Sequence, residues 1–98
     1  MTALKKFSRL EAKAVWIEKA NSPPKSVIIS FGKSSIIISD KNAFPLDHWN
    51  FNSIIVVSKD KEKTIFSQEL NKIEQLIIDD KEMINAIILI CNLKAQIN

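Results

Sequence analysis

A chain of 98 residues can bury a core without staples, and its single cysteine, Cys91, has no second thiol to pair with. Its longest unbroken apolar run, Ala86 to Cys91, is six residues, far short of the roughly 20 that cross a bilayer as a helix, and the polar, basic stretch after Met1 lacks the apolar segment of a secretory signal. The net charge of +3 draws on 14 basic residues of which only Arg9 is an arginine, so it reads as a solvating lysine surface in an isoleucine- and asparagine-rich chain, without the guanidinium forks that read bases and phosphates.

From Leu4 to Ile17 two periodicities compete. Leu4, Phe7, Leu10 and Ala14 recur at helical spacing, whereas Leu10, Ala12, Ala14 and Trp16 alternate with Glu11, Lys13 and Val15 as a half-buried strand does. Asn21, Ser22, Pro23 and Pro24 then break any regular element, because two prolines remove two backbone donors. The clearest hairpin follows. Val27, Ile29 and Phe31 share one face and Ile36 and Ile38 supply the facing strand. The only glycine, Gly32, falls in the turn between them, where a positive φ is expected.

Asp40, Lys41 and Asn42 make the next turn, and Pro45 marks an edge or irregular start. Trp49, Phe51 and Ile54 to Val57 read as one long or bent strand, with a bulge at Asn50, Asn52 and Ser53. The charged string Ser58 to Lys63 is a solvated loop. Over 64–78 two readings stand side by side. Phe66, Leu70, Ile73 and Ile77 suit a helix capped by Ser67, and spacing alone favours it; the alternative is a hairpin of Thr64 to Phe66 with Glu74 to Ile78. The last helix, from about Asp80 to Leu93, is signed by Asp79 as N-cap, Glu82 as its reciprocal partner, and Ile78 against Met83 as a hydrophobic staple.

The residues Leu10-Glu11-Ala12, Val27 to Gly32, Ile36 to Asp40, His48-Trp49 and Ile73 to Ile84 resemble a small N-terminal domain of alphaproteobacterial proteins. In those proteins it precedes a transmembrane helix and a zinc metallopeptidase domain. The order of elements is similar to that of pleckstrin-homology-like and GRAM-like barrels. The resemblance implies that Ile73 to Ile78 is a strand feeding the helix, and that the domain is a placement or recognition module. It carries over no catalytic residue, since the chain has one histidine and no H-E-x-x-H.

Candidate chemistry is sparse. His48 with Trp49 is the pair nearest to a site, but catalysis also needs a nucleophile or an orienting carboxylate, and Asp47, as a strand neighbour of His48, points to the opposite face. Trp49 is expected in the core and His48 at a rim. One histidine and one cysteine make no zinc ligand set, so no metal is expected. A single glycine excludes a dinucleotide fingerprint or P-loop, so no cofactor is expected either. Cys91 sits on the helix's apolar stripe with Met83, Ile84, Ile87 and Ile90, while Leu89 lies nearly opposite and Leu93 to one side.

The expectation is a single domain over 1–98, mainly β within the α+β class. It is a small antiparallel barrel or bent sheet, pleckstrin-homology-like, with one C-terminal helix. The expected function is a non-catalytic protein-interaction or scaffolding module of the cytoplasm, close to the inner membrane face. Its partner, a protein or a second copy, meets the C-terminal helix at Leu89 and Leu93, with His48 and Trp49 as a second contact. Electrostatic binding of nucleic acid or anionic lipid is the rival reading.

Overall fold

The computed structural model describes residue 7 and residues 9–91. Seven strands run β1 (Ala12–Ile17), β2 (Lys25–Phe31), β3 (Ser35–Ser39), β4 (Pro45–Asn50), β5 (Ile54–Lys59), β6 (Thr64–Gln68) and β7 (Asn71–Ile78), and α1 (Lys81–Ile90) follows. They form one antiparallel sheet in the order β4-β3-β2-β1-β7-β6-β5. The fold is thus mainly β with a C-terminal helix. The sheet is bent and not closed: among the described residues its two edges, β4 and β5, do not pair with each other.

Those edges are nevertheless consecutive in the chain. Laid flat, seven strands are about 29 Å across, whereas the four steps from Asn50 to Ile54 reach at most about 14 Å. The sheet has to curl. The turn that joins the edges is a single 3-10 turn, Phe51–Ser53, which Asn50 caps by accepting from the Asn52 N–H. It is pinned on both sides: the Phe51 N–H donates to the Ser34 carbonyl at 2.9 Å, and the Glu69 N–H donates to the Ser53 carbonyl at 2.7 Å. The run expected as one long or bent strand through Trp49, Phe51 and Ile54 to Val57 is therefore two strands on opposite edges, divided at the residues read as a bulge.

Alternation decides what the curl encloses. Ala12, Ala14 and Trp16 of β1, Val27, Ile29 and Phe31 of β2, Ile36 and Ile38 of β3, Trp49 of β4, Ile54 of β5, Phe66 of β6 and Leu76 and Ile78 of β7 are all buried. The strand reading of 12–17 holds, and Ala12 and Ala14 leave room where they face Ile29 and Val27. The segment 64–78 is the hairpin β6–β7, not the helix that spacing favours, because Phe66 turns inward while Leu70 is left exposed at the turn.

Two local expectations are corrected. Gly32 does not adopt a positive φ. It is small because a Cβ there would lie 3.2 Å from Ile37 Cδ1, so the hairpin needs a close approach. The left-handed residue is Ala43, at φ 66°, in the turn where Asp40 Oδ1 accepts from the backbone N–H groups of Asn42 and Phe44.

The N-cap of α1 is Asp80, not Asp79: its Oδ1 accepts from the Met83 N–H at 2.9 Å. Met83, Ile84, Ala86 and Ile87 seal the helix onto the core, with Ile90 and Cys91 packed partly against it. No helix among the described residues is long and apolar enough to cross a membrane. Asp80→Ala is expected to cost about 1 kcal/mol in urea unfolding and Asp79→Ala a few tenths at most; equal losses would show that the cap is assigned to the wrong aspartate.

Candidate functional site

One polar cluster interrupts the apolar interior. Glu74 of β7 has the same parity as Leu76 and Ile78, so strand alternation turns it inward, where it is only 4% exposed. A bulge sets its position. Ser67 pairs with Gln75 but Gln68 pairs with Asn71, so residues 72–74 pass without a register partner on β6. Ser67 fastens this bulge by donating its hydroxyl to the Glu74 carbonyl at 2.5 Å.

The Glu74 carboxyl collects donors from two other strands. Trp16 Nε1 of β1 donates to Oε2 at 2.8 Å, and Gln68 Nε2 of β6 donates to Oε1 at 2.8 Å. On β4, Asp47 and Trp49 share the less exposed parity of the strand, and the Trp49 indole is fully buried. That indole lacks hydrogen-bond geometry toward any acceptor: Trp49 Nε1 is buried without a partner. Burial pushes the Glu74 carboxyl above its ordinary value, and Asp47 raises it further by hydrogen bond and by charge. The Trp49 and Trp16 indoles act in the opposite sense.

The pair His48 and Trp49 is divided by the strand. Trp49 is fully buried, as expected of a core aromatic, while His48 is exposed on the outer face. There it shares a shallow depression with Ser35, Ile37, Pro45, Leu46 and Asp47. Asp47 does not orient the imidazole; its Oδ1 instead accepts from the His48 backbone N–H at 2.8 Å. Leu89 is 60% exposed on α1, and Leu93 lies outside the described residues.

Other candidates resolve into structural roles. Burial pushes the Cys91 thiol up to about 12, which keeps it protonated and unreactive at neutral pH. From the end of β5 into the following loop, Lys59, Lys61 and Lys63 alternate with Asp60 and Glu62. The backbone N–H groups of Lys63 and Glu62 hold the Asp60 carboxyl below the ordinary range, and Lys81 Nζ donates to the Lys61 carbonyl. Cations there alternate with acids instead of gathering on one face. Among the described residues no group of three or more His, Cys, Asp or Glu side chains is placed to hold a metal ion.

Spacing does not mark Trp16, Glu74 and Gln68 as members of one site. A glutamate at the inward parity of an apolar strand is a signal, but both parities of β7 carry isoleucines, so its inner face is ambiguous until pairing is known. No family model, curated protein or solved structure matches the chain.

The two indoles differ in what a ring contraction removes. Trp16→Phe takes a hydrogen bond from a buried carboxyl and Trp49→Phe takes none. At neutral pH, urea unfolding is expected to show Trp16→Phe as the costlier by about 1–2 kcal/mol. A larger loss for Trp49→Phe would contradict the assignment.

Proposed function

We propose that this domain is a non-catalytic protein-interaction module whose docking face is the outer side of β3 and β4. The observation that carries the reading is the apolar surface gathered there. Phe44 is 66% exposed and Leu46 is 41% exposed. Leu46 shares a shallow depression with Ile37 and His48, Ile37 lines a second one with Ile28, Ala43 and Pro45, and Phe44 stands in the turn between β3 and β4. Exposed apolar groups clustered beside a histidine suit a protein surface better than a solvated one.

Both sheet edges, by contrast, are blunted against strand addition. Pro45 opens β4, the inward charge of Asp47 takes up the His48 N–H, and the register shifts between Ile38 and Ser39. On β5 the register shifts around Val57, and Lys59 ends the strand. These are the devices that keep edges from pairing with other chains. A partner therefore meets side chains of the face and not backbone of the edge.

The helix contact at Leu89 belongs to the same proposal as a second, smaller surface, since the exposed neighbours Lys81, Glu82 and Asn85 are polar. The likeness to pleckstrin-homology-like modules is supported by the order of elements alone: a four-strand meander, a three-strand meander, then a helix. A cytoplasmic setting at the inner membrane face is part of that reading.

Photo-crosslinking in the source cells tests the docking face. A benzoylphenylalanine at position 46 is expected to give a discrete protein adduct, or a dimer if the partner is a second copy, while the same group at Glu62 gives none. Indistinguishable patterns at the two positions would overturn the docking face.

A further inference from the structure

We propose that the partner on the β3–β4 face is a second copy of this chain, laid face to face about a two-fold axis so that Glu11 of each copy meets Lys41 of the other. This rests on the docking face proposed above and names its occupant.

Strand register sets the two charges at opposite ends of one depression. β2 pairs with β1 through Ile29 and Ala12, and with β3 through Ile28 and Ser39 and through Ser30 and Ile37. Glu11, the residue ahead of β1, therefore borders the outer face on the β1 side, and Lys41, in the turn after β3, borders it on the β3 side. Both line the depression whose apolar wall is Ile28, Ile37, Ala43 and Pro45. Both are exposed, and among the described residues neither belongs to an ion pair.

An acid at one end and a base at the other make this surface its own complement. An axis that lies between two such faces and bisects the line from Glu11 to Lys41 exchanges the ends, so each acid meets the other copy's base while the apolar middle covers itself. The rest of the face gives a foreign partner little charge to read. The outward residues of β3 and β4 are Ser35, Ile37, Ser39, Leu46, His48 and Asn50. Asp47 Oδ1 is committed to the His48 N–H, and Lys13, the other outward charge of β1, lines a separate depression with Val15 and Ile77. From β1 to β4 the face is about 14 Å wide, narrower than obligate dimers require, so the association is weak and depends on concentration.

Sedimentation equilibrium of the whole chain between about 5 and about 500 µM tests this. The wild type is expected to pass from monomer toward dimer over that range. Glu11→Lys and Lys41→Glu are each expected to weaken the dimer about tenfold, and the two together to restore it. One single variant raises the net charge and the other lowers it, so overall charge cannot weaken both. Glu62→Lys, in the loop after β5, is expected to leave the dimer unchanged. The proposal is overturned if the wild type stays monomeric throughout, if the two single variants associate as tightly as the wild type, if the double variant is no tighter than either, or if Glu62→Lys weakens the dimer as much as they do. A discrete adduct of another mass from position 46 in cells, with a monomeric purified chain, overturns the second copy and leaves the docking face standing.

Discussion

A three-residue corner has to carry the chain from one edge of a seven-stranded sheet to the other. Everything else in the structure accommodates that constraint. The corner is too short for a flat sheet, so the strands curl, and the Phe51 ring of the corner packs 6.2 Å from the Phe31 ring of β2. Small side chains at Ala12 and Ala14 line the central strand, which a concave face requires when isoleucine and valine oppose it. Because pairing never completes the circle, the interior has a mouth. α1 supplies more apolar cover, but β7 meets it beyond Ile78, about 13 Å along the strand from Glu74.

The polar cluster occupies this mouth. A buried carboxyl is costly unless every oxygen is engaged, and Glu74 is engaged by an indole and an amide drawn from β1 and β6. The cluster ties strands that no backbone ladder joins. The Asp47 carboxyl occupies the His48 N–H of edge strand β4, which protects that edge.

Much of this fold was legible in residue order. The β2–β3 hairpin, the break at Pro23 and Pro24, the edge position of Pro45 and the apolar stripe of α1 each follow from alternation, proline chemistry or helical spacing. What failed did so where a local pattern had two solutions. Phe66, Leu70, Ile73 and Ile77 fit a helix, but the turn leaves Leu70 at the surface and the bulge at 72–74 leaves Ile73 exposed while Glu74 turns in. Two adjacent aspartates offer two caps, and the backbone chose the second. Gly32 suggested an unusual φ, whereas the packing of Ile37 is what demands it. The cluster was hidden for another reason. Its members Trp16, Glu74 and Gln68 come from three strands, and only the pairing of β1, β7 and β6 brings them together.

The central claim is that the sheet bends far enough to set β4 over β7. Flat, the two strands are four spacings apart, about 19 Å, beyond any nuclear Overhauser effect. Cross-peaks between the Trp49 indole proton and the Glu74 side chain are the most direct measurement. The curled sheet predicts them, together with contacts from the Trp16 indole to the same side chain. A Trp49 indole that sees only β3 and solvent would contradict the curl and the interior built on it.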